Sequence, residues 1–170
     1  MTTGAWALGR LFNVSAGAVP TDAVAGQITG NRVHLKDARC CSFIVIAGSG
    51  STDILDLDLQ EHNAATGGTS QDLDIITKAY YQDEATLDGD ETWTEWSQAA
   101  ASEVTNIGSA SAQQLVVVEV RAEQLSDGFE WVSLNVPDLG SNGSKYVAIL
   151  NVLTGLEVMR KPTNLANPQA

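Results

Sequence analysis

Arg32-Val33-His34-Leu35, Phe43-Ile44-Val45-Ile46-Ala47 and Ile54-Leu55-Asp56-Leu57-Asp58-Leu59 follow one another between Thr29 and Glu61, separated by short polar or glycine-containing stretches. The third run decides the fold class. Leu55, Leu57 and Leu59 alternate with Asp56, Asp58 and Gln60, the period-two pattern of an antiparallel strand with one face in a core and the other in water. Gly48-Ser49-Gly50 starts like a phosphate-cradling loop, but Asp53 stands where a third glycine would, and a strand rather than a helix follows. It is read as a hairpin turn.

The same pattern extends outward. Leu73 to Tyr81, Thr92 to Ser97, Phe129 to Val136 and Lys145 to Val152 have strand composition, and Leu115 to Val120, apolar except at Glu119, reads as a buried strand. Ala99-Ala100-Ala101 suits a helical turn or one short helix, and Ala122 to Leu125 a turn or short helix. Polar loops are expected at His62 to Gln71, Gln82 to Glu91 and Asp138 to Gly143. About eight to ten short strands and little helix predict an all-β protein, an antiparallel β-sandwich of jelly-roll-like form. Residues 1–28, small residues interrupted by Trp6 and Phe12, read as an N-terminal arm. Residues 29–158 form the sandwich domain, and 159–170, with two prolines and no periodicity, a C-terminal extension.

At 170 residues the chain suits one domain with its own core. Its net charge of −12, with nine scattered basic residues, argues against nucleic acid as a partner, since phosphate contacts need clustered Lys and Arg. No apolar run approaches the ~20 residues of a membrane span. Arg10 is the one basic residue near the N-terminus and no cleavable apolar segment accompanies it, so no secretory signal is read and the sequons at Asn13 and Asn142 are taken as chance. Cys40 and Cys41 are adjacent and point to opposite faces of a strand, unable to staple distant segments. One is expected in the core, and synthesis in a reducing cytoplasm follows.

Raw material for catalysis is scarce. His34 and His62 are the only histidines, too few for a multi-histidine metal site. His34 is read as a surface or ladder residue of a strand and His62 as a residue at a loop entrance paired with Glu61. Asp83, Glu84, Asp88, Asp90 and Glu91 offer carboxylates suited to calcium, without the spacing of a calcium loop, and are read as a solvated loop. Asp53, Asp56, Asp58 and Glu61 could serve glycoside hydrolysis, but alternation with leucines already explains Asp56 and Asp58 as a wet strand face. Trp93 and Trp96, near Tyr80 and Tyr81, suit either a core or a platform for a sugar or protein. No catalytic residue, metal or cofactor is expected.

Thr29-Gly30-x-Arg32-Val33-x-Leu35-Lys36, then Cys41-x-Phe43-Ile44-Val45-Ile46-x-Gly48-x-Gly50, then the leucine-alternating strand ending in Gln60-Glu61, resembles a family of small virion proteins of tailed bacteriophages. Ala112 to Leu125 with Gly128-Phe129, and Tyr146-Val147-Ala148-Ile149-Leu150, extend the likeness over about residues 29 to 155. The resemblance implies a head decoration, or cement, protein encoded near the major capsid protein. It would bind the capsid exterior after synthesis in the bacterial host cytoplasm and would not be an enzyme. Its implied partners are the major capsid protein and copies of itself, as a dimer or trimer. Trp6 and Phe12 in the N-terminal arm and Arg160 and Lys161 in the C-terminal extension are the expected contact points. Alternatives are a neck or tail component of the virion, a carbohydrate-binding β-sandwich using Trp93 and Trp96, and a hydrolase.

Overall fold

The computed structural model describes residues 6–169, which form an antiparallel β-sandwich. Eleven strands run in chain order: β1 (Phe12–Asp22), β2 (Val33–His34), β3 (Cys40–Ala47), β4 (Leu55–His62), β5 (Ser70–Asp72), β6 (Ile76–Glu84), β7 (Thr94–Ala101), β8 (Glu103–Ile107), β9 (Gln113–Arg121), β10 (Trp131–Asn135) and β11 (Tyr146–Thr154). Short 3-10 turns at Ala122–Gln124 and Pro162–Asn164 are the described helical elements. One sheet has the order β1-β11-β3-β9-β6-β7; the other is β2-β10-β4-β5, with β8 also pairing on β4.

The core lies between the sheets, and alternation puts residues there. Cys41, Phe43, Val45 and Ala47 of β3 and Val116, Val118 and Val120 of β9 face Leu55, Leu57 and Leu59 of β4, with Val132 and Leu134 of β10 beside them. Each fully buried aliphatic or aromatic side chain contributes roughly 1.5–3 kcal/mol through removal from water. Burial pushes the Cys41 thiol pKa up, so it stays protonated and acts as a small apolar group.

Several expectations change. Phe12–Asp22 is not an arm: it is an edge strand of the larger sheet, paired from Phe12 with Thr154 to Asp22 with Tyr146 and bulged around Gly17 and Pro20. A bulged edge strand tolerates the glycine and proline that hide its periodicity. Ala99–Ala101 belongs to β7, where pairing of Ala101 with Ile76 overrides alanine's helical preference. Gly48-Ser49-Gly50 is not a hairpin turn, because β3 and β4 lie in different sheets and the segment crosses between them. Leu115 and Val117 are only half-buried, since alternate residues of β9 face outward.

The C-terminal extension folds back as a strap. Asn13 Nδ2 donates to the Ala166 carbonyl, Gln169 Nε2 to the Ala16 carbonyl and the His34 amide to the Pro168 carbonyl. Asn31 adds bonds from its amide to Gly17 and from its side chain to Ala16. Strap and Asn31 together occupy the Ala16 and Gly17 carbonyls, acceptors that an exposed edge would offer to other chains.

Candidate functional site

The registers align Phe12, Thr154, Cys40 and Arg121 in one row at an end of the larger sheet. Loops and the end of β9 at this pole gather Arg10, Lys36, Arg39, Arg121 and Arg160, with Lys161 next in the chain, six of the nine basic residues. The strap creates the cluster: the Arg160 amide donates to the Gly9 carbonyl at 2.8 Å, bringing 158–161 against the turn at Ala7–Phe12. Gly9 has φ +81°, and a Cβ there would run into the Arg160 carbonyl, so the close approach requires glycine. Beside the charges, Trp6, Leu11 and Met159 remain 52%, 69% and 66% exposed. Trp6, Arg10, Leu11 and Met159 line a shallow apolar groove.

All four expected contact residues therefore lie at this pole, Trp6 in the groove, Arg160 and Lys161 exposed alongside, and Phe12 half-buried at the start of β1. Arg10, Leu11 and Met159 carried no sequence signal of their own, because nothing local shows that the two ends of the chain meet. Carboxylates are present as well, but among the described residues Arg10, Lys36, Arg160 and Lys161 have none within salt-bridge distance. Glu157 binds Arg39 at 2.9 Å and Glu123 binds Arg121 at 3.4 Å, both pairs exposed and contributing little to stability.

The opposite end is acidic. Glu84, Asp90 and Glu91 bring carboxylate oxygens within 4.8 Å of one another, and repulsion from Asp90 raises the Glu84 pKa. Glu91's own backbone amide, followed by those of Asp88 and Gly89, which its two oxygens accept, lowers its pKa and explains the cluster as loop architecture. Lys145 is buried near this end, its Nζ donating to the Ala110 carbonyl at 2.8 Å; desolvation lowers its pKa.

The outer face of the larger sheet has a different character. Paired registers set Ala16, Leu150, Ile44, Val117 and Tyr80 side by side across five strands, with Ala148, Ile46 and Leu115 in the next row. Ile46, Leu150 and Tyr80 are 48%, 40% and 40% exposed. No charged side chain of β1, β11 or β3 points outward from this part of the sheet.

The polar interior is structural. His62 is not a loop residue paired with Glu61: it ends β4, and adjacent strand residues face opposite ways. Glu61 is buried, accepting from Gln71 Nε2 at 2.7 Å and the Ser126 amide at 2.8 Å. His62 bonds Ser70 Oγ at 2.7 Å and Ser133 Oγ at 2.9 Å. Arg32 holds Ser70 as well, while clamping the carbonyls of Ala64 and Gly67. Ser133 is buried and Ser70's hydroxyl is shared with Arg32, so this histidine ties β4, β5 and β10 together.

Burial, aided by the Arg32 charge, lowers the His62 pKa from 6.5 to about 4. The unfolded chain therefore binds a proton between these values that the folded chain does not. His62's contribution to stability is complete above pH 6.5 and declines as pH falls towards 4. Urea unfolding at stepped pH is expected to show this decline, and His62→Gln, whose amide can keep both serine partners, is expected to flatten it. An unchanged slope in the variant would contradict the assignment.

His34 stacks on Trp131 with ring centroids 4.3 Å apart and bonds Glu130 at 3.2 Å. A cavity of ≈ 350 Å³ lies between this stack and the strap, lined also by Asn13, Arg160 and Leu165. Trp96 packs against the core while Trp93 is exposed, so the two do not form one sugar platform.

Comparison of the chain with protein-family models, curated proteins and solved structures returned no match.

Proposed function

We propose that the protein is a decoration, or cement, protein of a tailed-phage capsid, a structural component without catalytic activity that binds the shell exterior through its basic, apolar pole. One observation carries the mode of attachment. An acidic chain places six of its nine basic residues at one end, beside exposed Trp6, Leu11 and Met159. A cationic rim around an apolar centre suits docking on an acidic protein surface, with electrostatics guiding encounter and apolar contact retaining it. The acidic opposite end would then face away from the shell and limit crowding between bound copies and free ones. Many weak contacts across a repeating shell add up to tight retention. The resemblance supplies the setting; the pole supplies the contact.

Co-sedimentation of purified protein with phage particles stripped of it tests the proposal. Saturable binding that weakens with added salt is expected, as for any contact with an exposed electrostatic component. No binding at low salt would contradict it.

A further inference from the structure

We infer that the outer face of the six-stranded sheet is the interface between two copies of this chain. Strands β3 and β9 are apolar at successive positions, Phe43-Ile44-Val45-Ile46 and Leu115-Val116-Val117-Val118, a composition suited to strands covered on both faces. The second sheet covers one face. Nothing within the described residues covers the other, where Leu150, Ile44, Val117 and Tyr80 form a continuous row. Contiguous apolar surface of this extent marks an interaction site.

Charge selects the occupant. The chain carries −12 overall, yet β3 and β11 present no charged side chain on this face and β1 only Asp22 at its far end, bound to the Val24 and Lys145 amides. On the remaining outer surface, Lys78 pairs with Glu95, Arg121 pairs with Glu123, and Glu119 accepts a hydrogen bond from Ser42 Oγ. A basic partner would gain nothing here and would be drawn to the acidic end instead. Two like-charged copies need a neutral surface to meet, and this face supplies one. Six strands about 4.8 Å apart and eight residues long at about 3.3 Å per residue make a plane of roughly 600 Å², near the ~800 Å² per partner of a standard interface. Strap and Asn31 occupy the Ala16 and Gly17 carbonyls at the middle of the β1 edge, so this side of the apolar rows favours stacking of sheets over edge pairing. This inference does not depend on the virion setting or on the pole.

Sedimentation velocity and native mass spectrometry of the purified chain test it. The wild type is expected to be a dimer with Kd at or below about 1 μM. Leu150→Glu, which places two charges in the interface, is expected to weaken the dimer by about a hundredfold or more. Ile46→Lys serves as a second variant should the first fail to fold, since Ile46 is already half in water. Leu11→Glu, at the pole, is expected to leave the dimer intact. A wild-type monomer at about a hundred times that concentration would assign the face to another partner and overturn the inference. So would a folded Leu150→Glu or Ile46→Lys variant that dimerises normally, or loss of the dimer in Leu11→Glu alone.

Discussion

Phe43→Ala is expected to destabilise the fold by about 3–5 kcal/mol, the range for removing a large aromatic side chain from a close-packed core. Phe43 is fully buried at the centre of the larger sheet, between Leu153-Cys41 and Ile149-Val45 pairs of the β3–β11 ladder on its two sides along the strand. Its in-register partners, Asn151 on β11 and Val118 on β9, lie in hydrogen-bonded strands that cannot collapse into the space left. In a chain of this length the loss corresponds to a fall in Tm of roughly 10 °C. Urea unfolding should show a lower midpoint with an unchanged slope. Ile46, three residues along but on the outer face, provides the internal comparison: Ile46→Ala should cost the isolated chain well under half as much. Equal losses would mean that burial has been assigned to the wrong face.

The second large effect is on binding. Arg160→Glu with Lys161→Glu reverses two exposed charges at the pole without touching the backbone bond from Arg160 to Gly9. Turning attraction into like-charge opposition across an interface costs several kcal/mol when the groups are close to the partner. Binding to stripped particles is expected to weaken by about a hundredfold, equivalent to ~2.7 kcal/mol, with the wild type losing part of that difference as salt rises. Thermal stability should stay near the wild-type value because both side chains are exposed. Unchanged particle binding would remove the pole from the docking surface. A matching loss of stability would show that the charges hold the strap instead.

The sandwich was legible where burial alone sets the pattern. Leu55, Leu57 and Leu59 alternate with polar residues because β4 has one wet face, and all three are fully buried. Cys41 packs in the core as expected of one cysteine of the pair. Strand β1 was hidden because Ser15, Gly17 and Pro20 break its period, and its place comes from pairing with β11 more than a hundred residues away in sequence. The crossover at Gly48–Gly50 is hidden for a related reason: a short glycine-rich connection is compatible with either a hairpin or a change of sheet.

The candidate surfaces were legible only in fragments. Trp6, Arg160 and Lys161 stood out as isolated features of two chain ends. Arg10, Lys36, Arg39 and Arg121 join them only because strand registers and the strap bring distant segments to one pole. The successive apolar residues of β9 read as a buried strand, and β3 carries the same pattern. They instead give two apolar faces, of which one covers the core and the other lies open. Charge scattered along a sequence can be sorted by the fold into a basic pole, an acidic end and a neutral face, and composition alone records only the sum.

The number of copies relative to the major capsid protein in purified particles, measured by quantitative mass spectrometry, tests the central claim most directly. A decoration protein predicts a ratio near unity or a simple fraction of it, fixed by the repeating symmetry of the shell. A handful of copies per particle would contradict shell decoration in favour of a neck or tail part, and absence from particles would contradict any virion role.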